Sequence, residues 1–402
     1  MSEEIYCIEV PKELTQKTID IIRSEAVGKL SIDLHNKYKI SDITGMNKIS
    51  IPLKIAPDLM IDKPRLLENL HKLLENNHIK NFKVTKNLMT KKHLIYQKPR
   101  NLREALEDNF PEEIIPYVSL SYDIIGSILI MEIDRWGDLD SILVRYDETR
   151  NMTVETFKKK IGDIALELHN NIRTVYNKKS EVKGEFRIRE YELIAGMDNP
   201  ITLHKENGCK FELNIEKMFF TPRLVTERKR VSKLDYGENS IVLDCFAGVG
   251  PFSIQICANN NVTIYSCEKN PEAIQYLKNN IQLNKKKLKG EIYPYLGDFH
   301  NFKDSEQGKS IYGNVDTIIM NLPERNLEFI KDIRPFIKKN GTILIIYLFC
   351  EDPEPIPRGI SQLENFLAAK DLRVSQIRNK QNVKNYSPNV SLIGLDLLLK
   401  IR

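Results

Sequence analysis

The chain of 402 residues carries a formal charge of +5, with 41% apolar and 29% charged residues, proportions that fit a soluble globular protein of two or three domains and exclude a disordered one. So small a net charge permits an anionic partner without demanding one, and any nucleic-acid surface has to come from local patches. Six scattered cysteines with no C-x-x-C pair, and seven histidines with no ligand spacing, argue against a zinc site or a disulfide framework and point to a reducing compartment. No apolar run approaches the ~20 residues of a membrane helix. The opening "MSEEIYCIEV" is acidic and alternating rather than a secretory signal, so the expected location is cytoplasmic.

Residues 1–97 read as a small N-terminal α+β domain with a linker. "IYCIEV" and "KISIPL" are strands, "KELTQKTIDIIRSEA" is a helix, and the Pro-marked "KIAPDLMIDKPR" leads into the helix "RLLENLHKLLENN". The basic stretch 86–100, with His93 and Tyr96 interleaved, either tracks phosphate or forms a solvated surface. Residues 98–218 read as a second α+β domain. There "NLREALED" opens a helix, "YDIIGSILIMEI" is a buried strand broken by Gly126, and "TFKKKIGDIALELHNNI" is an amphipathic helix. "EFRIREYELIAG" is a strand with Arg187 and Arg189 on one face, opposite Phe186 and Ile188; the pair is either functional or ordinary surface. Trp136 reads as a packing residue beside a turn.

From 219 onward, short apolar strands ("SIVLDCF", "VTIYSCE", "EIYPYLGD", "VDTIIMNLP", "GTILIIYLF") alternate with helices ("PEAIQYLKNNIQLN", "NLEFIKDIRPFIKK", "ISQLENFLAAK"). Such alternation predicts a doubly wound parallel α/β sheet whose ligands sit at the strand carboxyl ends. "RVSQIRNK" and "VSLIGLDLLLKI" have no helix between them, so they predict a closing antiparallel hairpin.

"VLDCFAGVGPFS" (242–253) places Asp244, Gly248 and Gly250 at a strand-to-helix turn, where glycine lets backbone approach a ligand. The next strand ends in Glu268, suited to a ribose diol, and the third in Gly297-Asp298, suited to an adenine edge. Together they fit S-adenosylmethionine better than a dinucleotide. A third spaced glycine is missing, and Pro251 stands where a pyrophosphate site opens. The plainer alternative is an α/β sheet with an ordinary tight turn. Asn321-Leu322-Pro323 either holds a planar base by its edge or caps a helix.

In "FFTPRLVTERKR" (219–230), Glu227 sits among Arg223, Arg228, Lys229 and Arg230. Methylation of a purine nitrogen such as guanine N1 needs a base for its proton and a cation for the charge that spreads to O6. Glu227 is either that base or an incidental acid on a solvated basic face, and nearby arginines weaken a carboxylate as a base.

Taken in order over roughly residues 100–402, "GEFRIREYELIAG", "FFTPRLVTER", "LDCFAGVGPFSI", "NNIQLNK", "MNLPE" and "VKNYSP" resemble the archaeal and eukaryotic tRNA (guanine-37-N1)-methyltransferase family. The resemblance implies a Rossmann-like class I methyltransferase domain at 219–402, preceded by two smaller α+β domains. Of these, 98–218 supports RNA and active site, and 1–97 touches the outer corner of tRNA. It implies a monomer that methylates N1 of guanosine 37 in tRNA with S-adenosylmethionine and no metal. Glu227 is then the general base, Arg187 the donor to O6, and Asn321 the residue that positions guanine, with Arg223 and Pro323 on the RNA side. Arg228 is implied near the methionyl end of the cofactor. Phe246, Gly248 and Gly250 line its pocket, Glu268 lies on the ribose and Asp298 near adenine, and Lys269, Phe299 and Asn321 also bind the cofactor. The chain departs from the family pattern in a long 54–97 segment, in "IIYLFC", and in the loops "NKKKLKG" and "SEQGKSIYGN". The nearest alternative is a wybutosine-pathway transferase, moving an aminocarboxypropyl group or methylating a tricyclic guanine at the same nucleotide; the former is expected to lack N-L-P. A non-catalytic tRNA-binding module would not need Arg187, Glu227 and Asn321 together.

Overall fold

The computed structural model describes residues 3–24, 32–35, 38–55, 63–89, 99–110, 113–133, 137–146 and 152–402. It divides into two compact units, Met1–Lys98 and Pro99–Arg402; apart from Lys98, the parts set at 98–218 and 219–402 from sequence both lie in the second. His93, Tyr96 and Trp136 lie outside the described residues.

In the first unit, β1 (Glu3–Pro11), β2 (Ile32–Leu34), β3 (Ser41–Asp42), β4 (Lys48–Ile55) and β5 (Lys83–Met89) form an antiparallel sheet in the order β2-β4-β1-β5, with β3 on β4. Helices α1 (Thr15–Ile22) and α2 (Lys63–Asn76) accompany it. Leu66, Leu70 and Leu74, spaced along one face of α2, share a core with Ile8, Val10, Ile51 and Leu53 of the sheet. The start of the basic stretch is therefore strand, and Lys86 ion-pairs with Glu4 across β1 and β5.

The second unit opens with α3 (Leu102–Asn109), capped by the Asn101 side chain. Next come β6 (Asp123–Ile125), β7 (Ile128–Met131), α4 (Leu139–Tyr146), α5 (Val154–Leu168), β8 (Thr174–Lys178) and β9 (Tyr191–Gly196). The strands form a sheet in the order β6-β7-β8-β9, parallel only between β7 and β8, where α4 and α5 provide the crossover. Two sequence expectations change here. "YDIIGSILIMEI" is a hairpin rather than one strand: Gly126 takes φ +58 in a two-residue turn and Ile125 pairs with Ile128. Residues 184–187 form a tight turn closed by the Lys183–Ile188 bridge, so Arg187 and Arg189 do not lie together on a strand.

A hairpin, β10 (Ile201–Glu206) with β11 (Cys209–Asn214), leads to α6 (Val225–Ser232). Then come β12 (Ser240–Asp244), α7 (Pro251–Asn259), β13 (Val262–Glu268), α8 (Pro271–Asn284), β14 (Glu291–Leu296), β15 (Thr317–Met320), β16 (Thr342–Glu351), α9 (Pro355–Ala368), β17 (Leu372–Ser387) and β18 (Val390–Ile401). Seven strands are ordered β14-β13-β12-β15-β16-β18-β17. All neighbours are parallel except at β18, which runs antiparallel to both β16 and β17. The Rossmann-like sheet and its closing hairpin are thus as the alternation predicted, and strand order reverses beside β12, where such sheets bind ligands. One expected helix is broken: "NLEFIKDIRPFIKK" is one α-helical turn at Asn326–Phe329 and two 3-10 turns, Ile330–Asp332 and Arg334–Phe336, the second with Pro335 in its first turn, where a missing N–H costs nothing. Its Phe329, Ile330, Ile333 and Phe336 still pack into the core under the sheet.

The β10–β11 hairpin is tied to α8 by asparagine amides. Asn280 accepts from the Glu212 N–H (2.7 Å) and donates to its carbonyl (3.0 Å). Asn284 does the same to Lys210, at 2.9 and 2.7 Å. Four residues along a helix and two along a strand span similar lengths, so two side chains serve the free edge of β11 as a neighbouring strand would.

Candidate active site

From β12 the chain turns through Phe246, Ala247, Gly248 and Val249 into α7. Gly248 (φ +56) and Gly250 (φ +87) both take left-handed conformations open to glycine. They differ in what they serve. A Cβ on Gly248 meets nothing within 4 Å, whereas one on Gly250 comes 2.4 Å from Leu277 Cδ1. Gly248 therefore borders the cleft, and Gly250 lets α7 pack against α8 without lining the cleft itself. Asp244 is 1% exposed and accepts from Ser253 Oγ at 2.7 Å. Burial pushes its pKa up to about 6.

Glu268 lies at the end of β13, as its sequence position implied. Its Oε2 accepts from the Gly248 N–H and its Oε1 from the Asn270 N–H, both at 2.7 Å. Burial raises its pKa against those bonds. Each oxygen retains a further lone pair, and the residue lines the cleft with Lys269, Asp298 and Phe299. Lys269 bridges Glu185 and Asp298, 2.9 Å from the latter. Phe246 packs edge-on against Phe299 and Phe329, at 6.0 and 5.1 Å between centroids. A nucleoside-sized slot with an aromatic wall, a bare glycine backbone and carboxylates on two successive strand ends results.

Asn321 and Pro323 line the same cleft. Asn321 is not a helix cap: Arg325 occupies that position for the following turn. Asn326 ties the loop instead, accepting from the Leu322 N–H at 3.1 Å and donating to the Met320 and Tyr347 carbonyls at 2.9 and 2.6 Å. Asn321 makes no side-chain hydrogen bond to a described residue, so its amide is available to a ligand.

Arg187 sits at φ +57, uncommon for a side-chain-bearing residue and a conformation often kept for function. Its Nη2 donates to Glu324 Oε1 at 3.2 Å, and its guanidinium lies 4.5 Å from the Phe219 ring centroid. It lines a second, polar cleft as well, which shares Phe219, Lys384 and Tyr386 with the first and adds Lys178, Arg189 and Arg223. Arg223 is held by Asp123 at 2.7 Å. The Nε atoms of Arg187 and Arg189 are buried without a hydrogen-bond partner. Burial, then the nearby Arg189 charge, lowers the pKa of Lys178; burial, then Arg223, lowers that of Lys384. Asp123 and Glu181 on the same walls pair with Arg223 and Arg189, and the cations gathered around one opening still make it a surface suited to an anionic ligand. Sequence reading did not mark Lys178, though Lys384 and Tyr386 fall inside "VKNYSP".

The run "TERKR" divides its charges. Arg228 is 2% exposed, and Glu206 of β10 holds its Nε at 2.6 Å and its Nη2 at 2.5 Å. Gln255 also donates to Glu206, at 2.8 Å. Burial works to raise the Glu206 pKa, but His204 and Arg228 outweigh it and hold it at about 2. Arg228 borders the cleft with most of its hydrogen-bonding capacity already used. Glu227 is 5% exposed and is not among the cleft walls. Its Oε1 accepts from Tyr347 Oη at 2.8 Å and Arg230 Nη2 at 2.6 Å, and its Oε2 accepts from Gln381. Arg230 is pinned in turn by Asp396, at 2.6 and 2.9 Å. Glu227 is therefore no incidental surface acid. Tyr347 and Gln381 both pair with Gly394, and the next rung on the same sheet face, Phe349–Leu392–Lys384, lines the cleft. One rung is about 6.6 Å, so the strand positions whose side chains hold Glu227 adjoin those that line the cleft.

Among the described residues, no cluster of His, Cys, Asp or Glu is arranged to hold a metal, and no helix is long and apolar enough to cross a membrane. All six cysteines are free and buried.

Residues 202–375 match the TRM5/TYW2 methyltransferase domain family, and residues 102–199 match the TYW2 N-terminal domain family. The chain is 34% identical over 307 residues to the tRNA (guanine(37)-N(1))-methyltransferase Trm5b of Pyrococcus abyssi, covering 75% of this chain and 81% of that protein. It is 28% identical over 305 residues to the tRNA(Phe) (4-demethylwyosine(37)-C(7)) aminocarboxypropyltransferase of Pyrococcus horikoshii, covering 75% and 96%. The solved complex of aTrm5 with tRNALeu has a TM-score of 0.62 and 31% identity, covering 98% of this chain and 99% of that one.

Proposed function

The chain belongs to the TRM5/TYW2 methyltransferase family, and from that premise we propose that it transfers a methyl group from S-adenosylmethionine to N1 of guanosine 37 in tRNA, acting as a monomer on cytoplasmic tRNA. One observation carries the reading: the unbonded Asn321 amide and Arg187 line the nucleoside slot, and Arg187 also faces a crowded basic cleft suited to a polyanion. Residues 98–218 supply Lys178, Arg187 and Arg189 of that basic wall, and 1–97 is assigned to the outer corner of tRNA.

The slot fits the cofactor. The space that a Cβ on Gly248 would fill is open, and Glu268, Asp298, Phe246 and Phe299 surround it as a nucleoside requires. Bound there, S-adenosylmethionine supplies an electrophilic methyl group. Asn321 holds the guanine edge, and Arg187 meets the negative charge that builds on O6. Glu227 takes the N1 proton, freeing the ring-nitrogen lone pair to form the new bond. Arg223 and Pro323 face the RNA, and Arg228 braces the methionyl end of the slot through its pairing with Glu206.

The reading is tested by incubating an unmodified tRNA transcript with enzyme and cofactor and analysing the nucleosides by mass spectrometry. N1-methylguanosine at position 37 is expected. An aminocarboxypropyl adduct would transfer the assignment to the other branch of the family, and no product would leave a binding module. Glu227→Gln is expected to slow single-turnover transfer by about 100-fold or more without changing cofactor affinity. An unchanged rate removes Glu227 from the chemistry.

A further inference from the structure

A base has to offer a lone pair, and the Glu227 carboxylate has none to spare. Tyr347 and Arg230 Nη2 donate to Oε1, Gln381 donates to Oε2, and the Arg230 Nε–H is shared between the two oxygens, so four donors meet four lone-pair sites. The guanine N1–H must displace one of these donors. Arg230 is fixed by both oxygens of Asp396. Tyr347 is fully buried in the middle of the sheet. Gln381 differs from both: it is half-buried, on the edge strand β17. Pairing of β17 with β18 shifts register four times, once between Asn382 and Lys384. That irregularity falls between the rung of Gln381 and the rung of Lys384, whose side chain lines both clefts. Tyr386, farther along the strand, lines both as well.

We propose that Gln381 is a positioning residue that acts as an exchangeable placeholder: in the free enzyme its amide occupies the Glu227 oxygen that guanine N1–H takes in the complex. RNA drawn in at Lys384 and Tyr386 shifts β17 across its bulge, and Gln381 lets go of Oε2. Tyr347 and Arg230 keep Oε1 aimed throughout. The charged and titratable groups around the carboxylate are Arg230 on its own helix, Tyr347 on β16, and Asp396 on β18 behind Arg230; β17 contributes the neutral Gln381. This inference rests on Glu227 being the base.

The test compares Gln381→Met, which keeps length and removes the donor, with Tyr347→Phe, which removes only a hydroxyl. Single-turnover transfer is measured against pH at limiting tRNA, where the free enzyme's protonation is read. Gln381→Met is expected to be about three- to tenfold faster above the acid limb, because no donor has to leave. At saturating tRNA its rate should match that of the unmodified enzyme, because Gln381 has already let go there. Its acid limb should move to higher pH, since a carboxylate that loses a donor is more readily protonated. Tyr347→Phe should move the limb the same way and slow the reaction. A Gln381→Met enzyme slowed like Tyr347→Phe makes Gln381 a fixed support and overturns the proposal, as does a rate and limb at limiting tRNA matching those of the unmodified enzyme. Gln381→Ala, at the same half-buried edge position, repeats the test if the methionine variant is unstable. The Glu227→Gln control separates the two claims: if it is inactive while Gln381→Met is slow, the base stands and only the placeholder fails.

Discussion

At Arg228 the guanidinium and the Glu206 carboxylate meet on two bonds, with side chains 2% and 1% exposed. Removing one partner strands a buried charge, so Glu206→Gln should lower unfolding free energy by about 3–5 kcal/mol, read by urea melting at neutral pH. The sign with pH follows from the depressed pKa. Glu206 falls from 4.5 to about 2 on folding, so its stabilisation is complete above pH 4.5 and disappears as pH drops through about 2. In Glu206→Gln that part of the acid dependence should vanish. Sequence reading found Arg228 but missed Glu206. The partner lies 22 residues earlier, in a stretch with no pattern to mark it. Glu227 was legible as a candidate because a lone acid among cations stands out. Its four-sided clamp was not, because Tyr347 and Gln381 are 120 and 154 residues away.

At the scale of elements, the glycine turn makes two neighbouring glycines separable. Gly248→Ala puts a methyl into open cleft and should weaken cofactor binding more than it lowers the melting temperature. Gly250→Ala drives a methyl against Leu277 and Ile254 and should do the reverse, beyond the ~1–2 kcal/mol of left-handed strain the two share. Isothermal titration and thermal melting of both variants check the contrast; equal effects in both assays would refute it. The turn itself was readable, since strand, G-x-G and helix are contiguous. The errors fell where a local pattern had two outcomes. A long apolar run around Gly126 suits one strand or two, and only the docking of this turn beside Thr202 and Leu203 shows why glycine is needed. The arginines of "RIRE" alternate like a strand, yet the chain reverses there to bring Arg187 to the cleft.

Across the whole catalytic unit, charge is distributed locally: a chain of net charge +5 gathers Lys178, Arg187, Arg189, Arg223 and Lys384 around one opening. Binding there should be strongly salt-dependent, with each phosphate contact contributing about 0.7 to the log–log slope for single-stranded RNA. Arg189→Ala should weaken tRNA binding and reduce that slope by about one contact, leaving cofactor affinity unchanged. Filter binding between low and moderate salt measures it, and an unaltered slope would separate Arg189 from phosphate.

The alternation of strands and helices after residue 219, the glycine turn and the acids at the strand ends were set by the sequence alone, because periodicity and turn chemistry are short-range and survive in one dimension. Which charges are neutralised was decided only in three dimensions. Glu206 takes Arg228, Asp396 takes Arg230, and Lys178 and Lys384 line one cleft with no ion pair of their own among the described residues. Those outcomes depend on the register of β16, β18 and β17 and on a hairpin docked to α8, pairings between distant segments that no local spacing specifies.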